Sequence, residues 1–397
     1  MGGSVLTTAR VLLVLLAGCS SRLNPEFCAA HPSDERCAHV PDAGDVIDGD
    51  RFDGNDAITP AVCVGADKLR VCLPALPSGV RAFNQETVNT SNSALCLDDQ
   101  PIDWLVQGQK PACVIAAETI TLDNTIMLRG VQPLVLVATG NITVNATVNL
   151  AAKRDTTQNP AGFSAVAVDC PAAIQPATTD ANGGGGGAGG TLGTRGGDGG
   201  TGNNTQTPGG KAGDPSIAIL HGGCIGQAGG DGDLNGGGGG TGGYAGGAIY
   251  LVAGGSISFA NNASIDASGA GGAGGGHRSG GGGGGSGGMI ILWAGATIDF
   301  SPNVALYANG GGGASGGTDN ANGVTGGDPT APNTPAGGAT NGNAGVGGAG
   351  NYLTNDATAA TGGQGGQGGG GGGGGAGIIY ANRAVTATVS PPIQSIP

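Results

Sequence analysis

The feature that most constrains the fold is a block of nineteen residues that recurs in register. Three copies, 134–152, 249–267 and 290–308, align without a gap at offsets of 115 and 41 residues. Small or apolar residues alternate with polar ones inside each copy, and this period-two pattern predicts three short β-strands. The aligned small or apolar positions of the first copy are Leu134, Leu136, Ala138, Ile142, Val144, Val148, Leu150 and Ala152.

One such unit cannot bury its own apolar row, whereas stacked units bury the rows as ladders of like residues. The sequence therefore predicts an all-β fold, a parallel β-solenoid with long Gly-rich insertions. Weaker copies are expected at 119–130 and 378–390. The pattern resembles the parallel β-helix surface proteins of bacteria over 119–152, 249–308 and 378–390, and this resemblance brings no active site with it. A two-layer β-sandwich is the alternative, but it does not account for a repeat that keeps its register.

Glycine-rich tracts separate the copies. The chain has 89 glycines in 397 residues, against a usual share of roughly 7%. The tracts are 183–202, 229–247, 268–288, 310–317 and 362–377. They are either flexible solvated loops or packed helices of the polyproline II type, whose backbones approach closely only where side chains are absent. Collagen is excluded, because glycine keeps no strict third-position period. All tracts leave from one corner of the repeat, so ordered tracts would stack as one sheaf on one side.

The N-terminus carries an export signal. A single Arg10 precedes an apolar run at 11–17, which is too short to span a bilayer, and the sequence Leu16-Ala17-Gly18-Cys19 follows. This resembles the lipobox of bacterial lipoprotein signal peptides. The resemblance implies cleavage before Cys19, a diacylglycerol on its thiol and a further acyl chain such as palmitate on its amino group. Ser20, where this family often has Asp for inner-membrane retention, implies the outer membrane and the cell surface. An ordinary signal peptide with a chance cysteine is the alternative.

Charge restricts the partners. The formal net charge is −13, which excludes nucleic acid and anionic lipid surfaces as electrostatic partners. Six Asp and one Arg fall within 42–56, and such a block stays extended by self-repulsion.

The predicted organisation is a signal peptide at 1–18, a lipidated, disordered acidic tether at 19–57, a small Cys-rich cap at 58–117 and the Gly-rich β-solenoid at 118–397.

Eight cysteines besides Cys19 predict a disulfide framework, because their number is even and the chain is exported. They are Cys28, Cys37, Cys63, Cys72, Cys96, Cys113, Cys170 and Cys224. Connectivity is not fixed by the sequence, and the working hypothesis pairs each cysteine with its nearest neighbour in this order. Cys28, His31, Cys37 and His39 offer zinc-ligand types as an alternative for the first pair, although their spacing is not a usual one.

The sequence shows little catalytic chemistry. Asp266 and Asp299 are the acids inside the strong repeats, and both are expected to face solvent. The glycine strings at 196–204 and 229–237 do not place Asp as calcium-binding repeats require, and no cofactor or metal is predicted. Trp293 and Tyr307 alternate with inward residues, so they are either scattered surface aromatics or a stacking platform for sugar.

These observations favour a non-enzymatic surface lipoprotein, adhesive or structural, that presents its Gly-rich excursions to a surface glycan or to matrix. The membrane is its partner through the lipid on Cys19. The alternatives are a polysaccharide-acting enzyme of the β-helix type, which would need clustered acids and bases, and a ligand-free low-complexity spacer.

Overall fold

The described residues form an all-β structure with almost no helix. The computed structural model describes residues 62–84, 87–102, 104–154, 170–215, 219–232 and 237–396. A 3-10 turn at Asp67–Leu69 is the one helical segment in these ranges. It lies between β1 (Val62–Val64) and β2 (Val71–Leu73), which pair as an antiparallel hairpin.

All the other strands lie in three parallel sheets. The first sheet contains β5 (Cys113–Ala117), β8 (Leu134–Ala138), β11 (Ala248–Ala253), β14 (Met289–Ala294), β17 (Ile378–Ala381) and β19 (Gln394–Ser395). The second contains β3 (Val80–Phe83), β6 (Thr119–Leu122), β9 (Ile142–Val144), β12 (Ile257–Phe259) and β15 (Ile298–Phe300). The third contains β4 (Thr87–Asn89), β7 (Ile126–Arg129), β10 (Thr147–Asn149), β13 (Ser264–Asp266), β16 (Ala305–Tyr307) and β18 (Thr388–Ser390). Each copy of the repeat gives one strand to each sheet, and the weaker copies contribute β6, β7, β17 and β18.

In the first and second sheets, neighbouring strands pair in the register that the alignment of the copies predicts. In the first sheet Ile249 lies between Leu134 and Ile290 on the neighbouring strands. In the second sheet Ile257 lies in the same way between Ile142 and Ile298. These pairs have the predicted offsets of 115 and 41, so the ladders of like residues are confirmed there.

In the third sheet the predicted offset of 41 also holds, since Ile265 pairs with Leu306, but the first copy departs from the alignment by two residues. Val148 pairs with Ile265 rather than with Ala263. The turn before β10 has two residues, at 145–146, whereas the turn before β13 has four, at 260–263. A slip of one residue would move the apolar row to the other face of the sheet, but a slip of two preserves it. The apolar pattern therefore could not reveal the shorter turn.

One hydrophobic core joins the inward rows of all three sheets. Ile249, Ile257 and Ile265, one from each sheet, are completely buried in it. The rings of Phe259 and Phe300 on neighbouring strands are stacked, with centroids 4.9 Å apart. Like residues thus stack on like residues, as the repeat predicts.

A second core covers the outer face of the first sheet. Tyr250 and Ile291 point into it and are buried by the β1–β2 hairpin, by Trp104 and by Leu192. A sheet that is buried on both faces has strands that are apolar throughout. The unbroken apolar sequences of β8, β11 and β14 are the signal for this second layer, and their period-two interpretation missed it.

The separate Cys-rich cap predicted at 58–117 is not confirmed. The strands β3, β4 and β5 lie within that region and belong to the three parallel sheets, while its hairpin packs against the first sheet. All described residues belong to one compact unit, Thr59–Pro397.

Candidate functional site

The glycine tracts form an ordered body of hydrogen-bonded helices. In the tract at 279–288, every third residue donates its backbone N–H to one neighbouring tract, as expected for an extended helix with three residues per turn. Gly281, Gly284 and Gly287 donate to the carbonyl oxygens of Gly369, Gly372 and Gly375 at 2.9, 2.9 and 3.1 Å. The two other sets of N–H groups point in two other directions and bond to tracts 224–230 and 267–273.

The same tract also accepts hydrogen bonds from three further directions. Its carbonyl oxygens receive N–H groups from tracts 184–190, 240–246 and 311–317. Tract 279–288 therefore has six neighbours, and we call the seven tracts together the glycine sheaf. Of the two interpretations left open by the sequence, flexible loops or packed helices, the structure has the second.

Close packing explains why these positions are glycine. A Cβ built on Gly283 would overlap the carbonyl oxygen of Ala188, and one built on Gly371 would overlap that of Gly282. Larger residues occur only where the packing leaves room or needs a polar atom. The Ser286 hydroxyl, for example, accepts the N–H of Cys224 at 2.7 Å and donates to the carbonyl of Gly287 at 3.0 Å.

The connections that form the glycine sheaf all leave the repeat at a single corner, as predicted. The long connections β10–β11, β13–β14 and β16–β17 each leave the end of a third-sheet strand and return to the start of a first-sheet strand. The turns at 275–279 and 363–367 are about ten residues from the strands that follow them. At about 3.1 Å per residue in such a helix, these turns lie about 30 Å out along the sheaf.

Three disulfides occur in the described residues. Cys63 pairs with Cys72, Cys96 with Cys113, and Cys170 with Cys224. These are three of the four nearest-neighbour pairings of the working hypothesis. The third one fixes the start of the described segment at 170 to the sheaf. Beside it lies a cleft of about 350 Å³, lined mainly by Ala and Gly with Gln227 as a polar side chain.

Asp266 corrects the expectation that both acids of the repeats face solvent. Asp299 is exposed, but Asp266 is buried, between Asn149 and Tyr307 on the neighbouring strands of the third sheet. Its carboxylate accepts the backbone N–H of Ser268 at 3.0 Å. Burial raises the pKa of Asp266 to about 6, and the hydrogen bonds from Ser268 and Tyr307 only partly oppose this rise.

The structure does not bring the two candidate sugar-stacking aromatics together. Trp293 lies on β14 in the first sheet, where its ring packs partly against the second core. Tyr307 lies on β16 in the third sheet, half-buried beside Asp266, and burial together with that carboxylate raises its pKa. A shared platform formed by both rings is therefore not supported by their positions.

The described part of the chain contains no group of three or more His, Cys, Asp or Glu side chains that could hold a metal ion. It also contains no helix long and apolar enough to cross a bilayer. The lipidation candidate Cys19, the acidic block at 42–56 and the possible zinc ligands Cys28, His31, Cys37 and His39 lie outside the described residues.

The polar turns at the far end of the sheaf were missed by the sequence reasoning. The turn at 202–207, Gly-Asn-Asn-Thr-Gln-Thr, interrupts the glycine pattern with five polar side chains in succession. Such an interruption is the signal that could have located this end.

No protein-family model, no curated protein and no solved structure matches the chain.

Proposed function

We propose that the chain is a non-enzymatic, lipid-anchored surface protein that uses the glycine sheaf as a rigid contact surface. The observation that carries the proposal is the sheaf itself. Ordering glycine costs more conformational entropy than ordering any other residue, because its backbone has the most freedom to lose. Backbone hydrogen bonds to six neighbouring tracts offset this cost, and a flexible spacer would need none of them.

We propose further that the three parallel sheets close into a β-solenoid that supports the sheaf. Two features support closure: the chain visits the sheets in the same order in each strong repeat, and the inward rows of all three sheets share one core. Stacked repeats give a stiff scaffold, since each repeat is held by its neighbours on both sides.

The segment 337–355 borders the glycine sheaf, where the N–H of Gly313 donates to the carbonyl of Gly348 at 2.7 Å, and it suits contact with a neutral, hydrated surface. The segment 337–355 contains no Asp, Glu, Lys or Arg, and Thr340 and Asn343 within it are exposed, as are Thr358 and Thr361 just beyond. Hydroxyl and amide groups both donate and accept hydrogen bonds. They match the hydroxyl groups of glycans better than they match a charged polymer.

The last part of the proposal is a lipid anchor that holds the protein on a membrane. The lipobox at Leu16-Ala17-Gly18-Cys19 supports an acylated Cys19, and two or more acyl chains hold a protein stably on a membrane. The proposed location is the outer membrane, with the acidic segment to residue 57 as the tether.

Attachment of whole cells tests the proposal. Cells that produce the full chain are compared with cells that lack it for retention on glass coated with polysaccharide or with matrix protein. We expect retention to require the chain and to be lost in Cys19→Ala, which should also fail to incorporate labelled palmitate. Gly283→Ala should reduce retention, because a Cβ at Gly283 would overlap the carbonyl oxygen of Ala188 and disturb the packing of the sheaf.

Equal retention of producing and non-producing cells on every coating would overturn the contact function and favour a ligand-free spacer. Cleavage of any of the coating polymers by the purified chain would favour the enzymatic alternative instead.

A further inference from the structure

A turn beside the β1–β2 hairpin carries large aliphatic side chains at its tip. The turn lies at 104–108, and we call it the aliphatic turn. Leu105 and Val106 follow one another in it and are 52% and 86% exposed. Ile102, two residues before the turn, is 43% exposed. Turns are usually formed by glycine and by small polar residues, so three exposed aliphatic side chains this close together require an explanation.

The backbone of the aliphatic turn is fixed by its neighbours. Trp104, at the start of the turn, is completely buried, and its ring N–H donates to the carbonyl of Lys110 at 2.8 Å. Just after the turn, the side-chain amide of Gln109 donates to the carbonyl of Lys68 at 3.1 Å. The two aliphatic side chains at the tip are therefore held outward by a firm backbone rather than by a loose loop.

Basic side chains flank the aliphatic turn, although the chain as a whole is acidic. The 3-10 turn at Asp67–Leu69 lies beside it, and there Lys68 and Arg70 are exposed and outnumber Asp67. Exposed aliphatic groups with cations around them suit a phospholipid interface, because the aliphatic groups enter the acyl boundary and the cations meet the phosphates. The apolar side chains would supply the attraction, so the overall negative charge does not prevent it.

The entry point of the chain indicates which surface covers the aliphatic turn. The described structure begins at Val62 on β1, and the other strand of this hairpin accepts the N–H of Ile102 through the carbonyl of Cys72 at 2.9 Å. A flexible tether from a lipidated Cys19 to Val62 would keep the hairpin within about 35 Å of the membrane. Tethering of this kind gives a high effective concentration, so a weak contact is sufficient.

We infer that the aliphatic turn inserts into the interface of the membrane to which the chain is proposed to be anchored, with Leu105 and Val106 in the acyl boundary. This inference rests on the proposed lipid anchor and adds to it a contact made by the folded part of the chain. Such a contact would restrict rotation of the folded unit on its tether. The glycine sheaf belongs to the same compact unit, so its orientation to the membrane would be restricted too.

Quenching of tryptophan fluorescence by brominated phospholipids tests the insertion. The lipidated full chain is reconstituted in vesicles of phosphatidylethanolamine with a minority of phosphatidylglycerol. We expect bromine atoms on the acyl chains to quench Val106→Trp more strongly than the unchanged chain, whose two tryptophans give the background. Val324→Trp is the matched control, because Val324 is 50% exposed but lies in the β16–β17 connection. It should be quenched no more than the unchanged chain.

Flotation of the full chain with Cys19→Ala measures the contact without acyl chains. We expect this chain to float with the same vesicles, and the further substitution Val106→Asp to lower its partition coefficient at least about tenfold, because it removes a buried aliphatic group and places a charge in lipid. Val324→Asp should have no effect on flotation. Both aspartate variants should keep the melting temperature of their parent, since both positions are exposed.

Equal quenching of Val106→Trp and the unchanged chain would overturn the inference, as would equal flotation with and without Val106→Asp. Quenching of Val324→Trp as strong as that of Val106→Trp would overturn it too, because the contact would not be specific to the turn.

The anchor and the inserted turn fail separately. If the chain incorporates labelled palmitate but Val106→Trp is not quenched, the anchor stands and the aliphatic turn is not a membrane contact. If no palmitate is incorporated and flotation still depends on Val106, the anchor is wrong and the membrane contact of the turn stands.

Discussion

The carboxyl group of Asp266 connects the stability of the fold to pH. Asp266 is 7% exposed, and burial raises its pKa from 3.8 to about 6. The folded chain therefore holds this proton to a higher pH than the unfolded chain does. The resulting stability is fully present below about pH 4 and is lost as the pH rises through 6, with a total loss of about 3 kcal/mol.

Asp266→Asn should remove this dependence. Between about pH 3 and pH 7 we expect its free energy of unfolding to fall by about 3 kcal/mol less than that of the unchanged chain. Denaturant titrations at several pH values measure the difference. Asp299→Asn is the control, since Asp299 is exposed, and it should follow the unchanged chain. Parallel curves for the unchanged chain and Asp266→Asn would show that the Asp266 carboxyl is not protonated in the fold in this range.

At the scale of elements, the packing of the glycine tracts predicts opposite results for two identical substitutions. A Cβ on Gly283 would overlap the carbonyl of Ala188, which belongs to a neighbouring backbone that cannot rotate away. We expect Gly283→Ala to destabilise the chain by about 3 kcal/mol or more. Gly337→Ala meets nothing within 4 Å and should change stability by about 0.5 kcal/mol or less. Chemical denaturation of both variants checks this, and equal effects would contradict the close-packed sheaf.

Strand positions could be predicted from the sequence, because alternation and the recurring register report directly on a stacked apolar row. Ile249 and Ile257 were placed correctly for this reason. The pairing of Val148 with Ile265 could not be predicted, since a two-residue change in turn length leaves the apolar face unchanged.

Other features were hidden for a different reason. The order of the glycine sheaf depends on backbone groups, and a sequence identifies side chains only. The burial of Asp266 depends on its neighbours in the fold, Asn149 and Tyr307, which no local pattern specifies. The polar turns 180–183, 202–207 and 363–367 likewise meet only in the fold, because they come from distant parts of the chain.

At the scale of the whole molecule, the second core connects the sheets to the glycine sheaf. Leu192 comes just after tract 184–190 in the chain. It is completely buried in the same cluster as Tyr250 of β11 and Ile291 of β14. Hydrogen bonds within the sheaf and apolar contacts beneath it are therefore parts of one structure. Loss of either part should expose the other, so the sheaf and the first sheet should open together.

Leu192→Ala tests this connection. Removing a buried leucine side chain costs about 2–5 kcal/mol, and the loss should reach both layers because they share the core. Amide hydrogen exchange should therefore accelerate by the same factor in tract 279–288 of the sheaf and in strand β11 of the first sheet. Leu105→Ala is the matched control, because Leu105 is 52% exposed. It should leave both regions protected. Faster exchange in the sheaf alone would show that the tracts unfold independently of the sheets.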